Sequence, residues 1–459
     1  MSSAVGIKKT DVNMTSGNIT RHLLMFALPL LAGNLFQQLY NTVDTWVVGN
    51  FVSNEAFSAV GSVAPVINML IGFFSGLSTG AGVIISQYYG AGREDKVRDT
   101  VHTASVMTLI LGVFFTVLGL LMVPLMLNIM APPDSVIPEA RKYLNIYFIG
   151  MMGLMVYNMG SGIMRAVGDS RRPFYYLVVS AVTNIVLDLL FVIKFNMGVA
   201  GVAWATVIAQ FLSAICVTVD LLRYKSCVRI IPRCLKIDFK ILGNIISVGI
   251  PAALQMAITA FSNVFVMRYI NFFGADCMSG WTAYIKLDQF MMLPVQSISL
   301  SVTTFVGQNL GAGNVDRAKR GVNTGLIISL ILNILLMIPL VMFAPQLTAF
   351  FNDKAEVIEY GTRFLRWISP FYVTICVNQV YACALRGSGN SRTPMITMIA
   401  SFVVFRQIYL YIMANFISNT VIPIAFAYPA AWIVCSTAIA VYYHKVGIEN
   451  KKQMDIIRE

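Results

Sequence analysis

The stretch "MRAVGDSRRP" at Met164–Pro173 is repeated as "LRGSGNSRTP" at Leu385–Pro394, and the distance between the two copies decides the fold. The copies stand 221 residues apart in a chain of 459 residues. A second pair, "QYYGAGREDKVR" at Gln87–Arg98 and "QNLGAGNVDRAK" at Gln308–Lys319, has the same offset. Sequences of this kind are common in turns, which explains one match but not a shared offset. The pattern therefore predicts a duplicated half-chain.

The composition is that of a membrane protein. Hydrophobic residues make up 57% of the chain and charged residues 12%, with a mean hydropathy of +0.72, whereas soluble domains average about 25% charged residues. Apolar stretches of the roughly 20 residues that a bilayer requires recur twelve times, six in each half. We expect an all-α integral membrane protein with twelve transmembrane helices in two six-helix bundles and no separate soluble domain.

The positive charge of the chain follows the predicted topology. The formal net charge is +12, which by itself would suit a nucleic-acid partner. With the N-terminus inside and the spans alternating, most of the lysines and arginines fall in inside loops, which is the positive-inside pattern. The charge is then explained without a nucleic acid, and both termini are expected in the cytosol.

The predicted domains follow from the spans and the offset. They are a cytosolic N-terminal segment (1–22), an N-lobe with TM1–TM6 (23–222), a cytosolic linker (223–240), a C-lobe with TM7–TM12 (241–444) and a cytosolic tail (445–459). Because each lobe has an even number of spans, we expect a pseudo-two-fold axis along the membrane normal and a V-shaped central cavity. Parallel repeats of this kind occur in transporters that rock two bundles about a central site.

The sequence gives no sign of catalysis or of a cofactor. Neither GAG loop has the Lys-Ser/Thr of a phosphate-binding loop, so we expect no ATP-driven step within this chain. The seven cysteines and three histidines are scattered and form no ligand pattern. We expect a protein that is not an enzyme, with no catalytic residues and no cofactor.

Ionisable side chains inside the predicted spans need a reason, because each costs roughly 2.5–3.5 kcal/mol on insertion scales. Asp44 lies on a polar stripe of the first span, and Asn184 and Asp188 lie four residues apart on one face of the fifth. Thr206 lies in the sixth span. At 1.5 Å per residue, these positions fall about 9–15 Å from the outer ends of their spans. The sequence therefore predicts one layer of oxygen-bearing side chains in the N-lobe.

Carboxylate, amide and hydroxyl oxygens suit a hard monovalent cation, and two neighbouring carboxylates also favour the binding of a proton. We interpret Asp44, Asn184, Asp188 and Thr206 as a cation-coupling site, with Na⁺ as the only metal ion considered. The alternative is that Asp188 and Asn184 only bridge helices through hydrogen bonds. Two acids without a basic neighbour at that depth would be an unfavourable brace.

The C-lobe does not repeat these acids, since valine and tyrosine occupy the positions that match them. Instead, Asp288 lies in the eighth span and Arg406 in the eleventh, each roughly 16 Å from the outer face. An ion pair of Asp288 with Arg406 or with Lys286 is the interpretation we favour. In the other interpretation, Asp288 contacts cationic substrates.

With these residues in place, the chain resembles the MATE (multidrug and toxic compound extrusion) family of transporters over roughly residues 18–445. The resemblance rests on "LPLLAGNLFQQLYNTVDTWVVGNF" in the first helix and on the paired loops "QYYGAG"/"QNLGAG" and "RAVGDSRRP"/"RGSGNSRTP". It looks closest to the bacterial branch that includes the DinF-like and MepA-like exporters.

In that branch, the cation site of the N-lobe uses an acid on the first helix, an Asn and an Asp four apart on the fifth, and a Thr on the sixth. The NorM-like branch places acids on the seventh and tenth helices. Here the seventh helix has none, and the tenth has only Glu356 and Glu359 at its outer start. The resemblance therefore does not extend to NorM-type coupling in the C-lobe.

The resemblance implies a secondary active antiporter that exports organic cations and other amphipathic drugs in exchange for H⁺ or Na⁺. It also implies a bacterial plasma membrane, a small-molecule partner and a monomer. Each polar residue on the spans expected to face the cavity is a candidate substrate contact, although ordinary hydrogen bonding between helices explains such residues as well. The candidates are Gln37, Asn41, Asn158, Gln255, Asn263, Asp288 and Arg406.

Two other functions fit the same architecture. A flippase or exporter of lipid-linked or other amphipathic metabolites would favour a cavity rich in Arg and Lys, and the predicted spans hold few such residues. A channel or receptor would not need a buried pair of acids in one lobe of a duplicated bundle.

Overall fold

The computed structural model describes residues 12–130, 133–224 and 226–448. The predicted cytosolic N-terminal segment (1–22) and tail (445–459) lie partly outside these ranges, and so does Lys225 of the predicted linker. Throughout the described ranges the chain forms helices and connecting loops, without strands. The predicted all-α fold is therefore confirmed.

Six long helices form the first half of the described chain. They are α1 (Ile19–Phe51), α2 (Asn54–Gly90), α3 (Glu94–Met130), α4 (Ile137–Ile149 and Met151–Ala166), α5 (Arg171–Leu189, extended by a π-helical turn at Leu190–Lys194) and α6 (Gly198–Arg223). A short 3₁₀ turn, Pro232–Cys234, lies in the linker to the second half.

Six more helices form the second half. They are α7 (Phe239–Asn271), α8 (Ala275–Gly311), α9 (Val315–Met342), α10 (Ala355–Ile368 and Tyr372–Gly387, joined by a 3₁₀ turn at Ser369–Phe371), α11 (Arg392–Ile399 and Arg406–Ile412, with π-helical turns at Ala400–Phe405 and Met413–Ile417) and α12 (Val421–Ala425 and Ala427–Val446). A short helix, Ala344–Ala349, connects α9 to α10.

Eleven of these helices are long and apolar enough to cross a membrane. The count becomes twelve when the two parts of α4, which meet at a bend of 46°, are taken as one span. Large apolar side chains are exposed on them, such as Leu121 at 68% and Phe416 at 72%. Such exposure is unfavourable in water and is expected where a helix faces lipid.

The repeated sequence motifs have the same backbone conformation in both halves. The second glycine of each GAG loop has a positive φ, 70° at Gly92 and 75° at Gly313. The glycines of the other pair do as well, with 88° at Gly168 and 86° at Gly389. A glycine with positive φ is the common way to end a helix, because the conformation strains any residue with a Cβ. The repeated motifs thus contain glycine where a helix ends and the chain turns.

The chain divides into two compact units. The first unit holds residues 12–13 and Pro29–Ile250, and the second holds Met14–Leu28 and residues 251–448. The boundaries fall at Pro29 and Pro251, inside α1 and α7, rather than at the ends of the predicted lobes. The predicted lobe boundaries therefore stay predictions of topology, distinct from the packing units.

The packing of two short helical segments explains these boundaries. At the start of α1, the Leu23 carbonyl accepts a hydrogen bond from Ser301 Oγ at 3.1 Å, which ties this segment to α8 of the second unit. At the start of α7, Gly249 packs so closely on α2 that a Cβ built at Gly80 would lie 2.5 Å from the Gly249 Cα. Each segment therefore belongs to the unit on which it packs.

Candidate functional site

The first unit buries three of the four residues of the predicted coupling site almost completely. Asn184 is 1% exposed, Asp188 0% and Thr206 7%, while Asp44 reaches 9%. Hydrogen-bond partners are lacking for both carboxylate oxygens of Asp188, for both amide atoms of Asn184 and for Oδ1 of Asp44. A buried polar group without a partner costs about 1–3 kcal/mol. Buried polar groups of this kind are compensated when an ion or another ligand binds to them.

Helix packing brings Asp44 and Asp188 together. A Cβ built at Gly33 of α1 would lie 3.2 Å from Leu177 Cδ2 of α5, which sets the two helices in parallel register. Eleven residues further along each helix lie Asp44 and Asp188. Their carboxyl groups lie close enough to interact electrostatically with each other.

Thr206 is placed near the same layer by the packing of α5 on α6. Ser180 Oγ donates a hydrogen bond to the Ala209 carbonyl at 2.7 Å. The two helices are antiparallel, so moving toward the C-terminus of α5 means moving toward the N-terminus of α6. Thr206, three residues before Ala209, therefore lies level with Asn184, four residues after Ser180. The Thr206 hydroxyl donates to the Val202 carbonyl of its own helix at 3.0 Å, which leaves its oxygen able to accept or to coordinate.

The acids of this site have no basic partner. Within the described part of the chain, no Lys, Arg or His nitrogen lies within 4.0 Å of the carboxylate of Asp44 or Asp188. Two adjacent carboxylates that are both ionised can only accept hydrogen bonds and repel each other. One proton held between them, or one small cation, removes both problems. Among described residues, Asn184 and Asp188 also form no hydrogen bond to another helix.

Two tyrosines beside the acids, and a third that stacks on one of them, were not identified from the sequence. Tyr40 and Tyr143 lie close enough to Asp44 to interact with it electrostatically. Tyr147 stacks on Tyr143 with 6.2 Å between ring centroids. The position of Tyr40, four residues before Asp44, could have indicated it. The start of α4 has no intramembrane charge, and so nothing there pointed to Tyr143 or Tyr147.

Several of the candidate substrate contacts are engaged within the protein. Gln255 accepts a hydrogen bond from Arg386 Nη2 at 3.0 Å, and the Asn158 amide donates to the carbonyl of Leu154 at 2.8 Å. These are ordinary hydrogen bonds that hold a helix or join two helices. Gln37 is half-buried and Asn41 is exposed.

The predicted ion pair of Asp288 is wrong. No Lys, Arg or His nitrogen of the described residues lies within 4.0 Å of its carboxylate. The Arg406 guanidinium instead donates to Ser262 Oγ at 2.8 Å and to Asn263 Oδ1 at 2.9 Å, and it lies 4.8 Å from the centroid of a tyrosine ring. Asp288 accepts one hydrogen bond, from Tyr284 at 3.4 Å. Arg406 thus hydrogen-bonds to neutral oxygens of α7 rather than to the carboxylate of Asp288. The other expected partner of Asp288, Lys286, is exposed.

Known proteins are similar to this chain in sequence and in fold. The sequence profile of the MatE family matches residues 29–190 and 251–412, once in each half. The chain is 27% identical to the "Probable multidrug resistance protein YoeA" of Bacillus subtilis, over 95% of this chain and 96% of that protein. It is 29% identical to the "Probable multidrug resistance protein YpnP" of the same organism, over 86% and 88%.

Among solved structures, the chain is similar to that of MATE in complex with MaL6. The TM-score is 0.89 at 21% identity, with 98% of this chain and 100% of that chain covered, which is a likeness of fold. The two profile matches cover most of the chain and begin 222 residues apart, one residue more than the 221-residue offset of the duplicated motifs. The chain belongs to the MatE family of multidrug efflux transporters, and it is a multi-pass membrane transporter, not an enzyme.

Proposed function

We propose that the protein is an antiporter that exports organic cations and other amphipathic drugs in exchange for H⁺ or Na⁺. The observation that carries this proposal is the buried pair Asp44 and Asp188, which has neither a basic partner nor a full set of hydrogen bonds. A group of this kind is stable only when a cation binds to it, and it is therefore suited to bind and release one in each cycle.

The mechanism follows from linkage between the cation and the conformation. A cation that enters the site removes one of the two negative charges of the acid pair, relieves their repulsion and stabilises the conformation in which the pair is buried. To move a two-state equilibrium from 1:99 to 99:1 requires a difference in binding free energy of about 5.5 kcal/mol. Coordination of an otherwise unpartnered carboxylate pair is of the size required. Alternating access then results from a cation that favours one conformation and a substrate that favours the other.

The substrate is a small molecule, as in the multidrug transporters of the family. Asp288 is only partly buried, and its side chain is free of an ion pair. We propose Asp288 as a contact for a cationic substrate in the second unit, and Gln37 and Asn41 as candidate contacts in the first unit. The protein acts as a monomer in the bacterial plasma membrane, with both termini in the cytosol.

The test is efflux of ethidium from cells or vesicles that contain Asp44→Asn or Asp188→Asn. We expect efflux to be lost while the yield of folded protein is kept, because each change removes a charge but preserves size. Ser180→Ala is a matched control, since it removes a buried polar group of α5 that has a partner. Efflux at the wild-type rate in both Asn variants would refute the coupling role.

The coupling ion is identified by a second experiment. Inside-out vesicles are energised either by a pH gradient or by a Na⁺ gradient, and ethidium uptake is recorded for each. The gradient that drives uptake in the wild type, and fails to do so in Asp188→Asn, is the one that the site uses.

A further inference from the structure

The second unit contains buried polar side chains that the coupling site does not use. Five of them, on three helices that pack together, form what we call the polar seam: Ser299 of α8, Ser329 and Asn333 of α9, and Tyr372 and Asn378 of α10. Each is at most 1% exposed. The hydroxyls of the two serines and of the tyrosine, and all amide atoms of both asparagines, have no hydrogen-bond partner.

Contacts between the three helices bring these residues to neighbouring levels. Thr303 Oγ1 of α8 donates to the Cys383 carbonyl of α10 at 3.1 Å. Cys376 Sγ of α10 donates to the Ser329 carbonyl of α9 at 3.6 Å. In the register that these bonds define, the seam begins beside Asp288 and ends at Ser299, about 16 Å further along α8.

Buried polar groups in folded proteins are almost always paired, either with protein or with ordered water. The seam offers hydroxyl and amide groups at short intervals, and a buried water needs two to four such partners. The corresponding positions of the first half include Gly112 and Tyr157 in place of Asn333 and Asn378. Neither asparagine of the seam is therefore repeated in the first half, although its two serines match Ser78 and Thr108.

Asp288 lies at the outer end of the seam. Its carboxylate accepts a hydrogen bond from Tyr284 at 3.4 Å, and the hydroxyl of Tyr372 lies beside it. The charged and titratable groups around it are these two tyrosines, Tyr428 of α12 and, stacked on Tyr428, the guanidinium of Arg406. Asp288 is partly exposed, whereas Tyr372 is 0% exposed. Asp288 therefore lies between the exposed surface of the second unit and the buried groups of the seam.

We propose that Asp288 is a second proton-binding site and that ordered waters along the polar seam connect it to the interior of the second unit. Asp288 takes H⁺ from solvent at its exposed side, which forms one O–H bond. When it releases H⁺, that O–H bond breaks, a water at the exposed side carries the proton back to solvent, and the carboxylate is restored. The inference deepens the proposed function by adding a second titrating site, but its tests do not depend on transport by the first.

The first experiment detects the water. In radiolytic footprinting of the purified full-length protein, hydroxyl radicals formed from bound water oxidise aromatic side chains next to it even when these are buried. We expect oxidation of Tyr372 at least several-fold above that of Phe364, which is equally buried at 0% exposed and lies outside the seam. The double variant Asn333→Leu, Asn378→Leu should lower the oxidation of Tyr372 toward that of Phe364. Equal oxidation of the two residues in the wild type would overturn the proposal.

The second experiment detects the proton. Infrared difference spectra between acidic and alkaline buffer report carboxyl groups that gain a proton. We expect Asp288→Asn to lose one carboxyl band that the double variant Asp44→Asn, Asp188→Asn retains. Ser297→Ala, which removes a buried α8 hydroxyl that has a partner, should leave that band unchanged. A spectrum of Asp288→Asn identical to that of the wild type would overturn the second site and leave the proposed antiport unaffected. The antiport proposal is tested separately, by ethidium efflux of the Asp44 and Asp188 variants.

Discussion

Asp188→Asn removes one of two adjacent buried carboxyl groups while preserving the size of the side chain. In the wild type without a bound cation, two unit charges about 4 Å apart repel by about 4 kcal/mol at an effective dielectric constant of about 20. In the variant, only one charge remains, and this repulsion is absent. We therefore expect the variant to be the more stable protein wherever the acid pair of the wild type has lost its proton, and an inactive one.

The assay is thermal unfolding of the purified protein in detergent, in Na⁺-free buffer from mildly acidic to alkaline pH. At acidic pH, a shared proton cancels the repulsion, and the two proteins should unfold at similar temperatures. As the pH rises and the proton leaves, the wild type should lose stability by up to about 4 kcal/mol, while the variant changes little. A gain for the wild type on addition of Na⁺ at alkaline pH would identify Na⁺ as a ligand of the pair.

The control is Ser180→Ala, which leaves both acids in place and should follow the pH dependence of the wild type. Parallel pH profiles for the wild type and Asp188→Asn would show that the two carboxyl groups do not share a proton. The reasoning from their adjacency would then be refuted, even if efflux is lost.

Two further predictions concern the packing of the first unit. Gly168→Ala and Gly92→Ala both place a Cβ at a positive φ, 88° and 70°, which costs about 1–2 kcal/mol. At Gly168 the Cβ would also lie 2.2 Å from the Val12 carbonyl oxygen, whereas at Gly92 it would meet nothing within 4 Å. Gly168→Ala should therefore lower the free energy of unfolding by about 1–3 kcal/mol more than Gly92→Ala does. Equal losses in a thermal unfolding series would contradict this. Gly80→Val should reduce the yield of folded protein in size-exclusion chromatography, because its Cβ would lie 2.5 Å from the backbone of Gly249, and a wild-type yield would show that α2 and α7 can separate without loss.

The paired loops could be predicted from the sequence because their conformation depends on local residues. Gly92 and Gly313, or Gly168 and Gly389, need no distant contact to favour a positive φ. The same holds for the relative level of Asp44 and Asp188 along α1 and α5, since the rise of a helix per residue is nearly constant. Position along the helix axis was therefore readable before the structure was known.

Position around the helix axis was not readable in the same way. Asp288 and Arg406 were placed at a common depth, but depth does not say which neighbour a side chain turns toward. Ser262 and Asn263 lie on α7, and they reach the guanidinium at 2.8 and 2.9 Å. Likewise, the repeat indicates where helices end but not which unit the start of a helix packs on, so the boundary of the packing units at Pro29 in α1 does not follow from it.

The two units share their loops but differ in their buried polar groups, and this difference bears on the mechanism. A duplicated scaffold needs the same turns in both copies, so Gly168 and Gly389 are kept. The buried charges are free to diverge, because a charge is tolerated only where a ligand or a partner compensates it. Among the described residues, the first unit has a buried pair of acids without a basic partner, whereas the second has a single, partly buried acid, Asp288, beside hydroxyl and amide groups. If cations bind to both, the units respond to different conditions, since a close pair and an isolated carboxylate release a proton over different ranges of pH. In such a protein, coupling then depends on the difference between the acids of the two units rather than on the symmetry of the repeat.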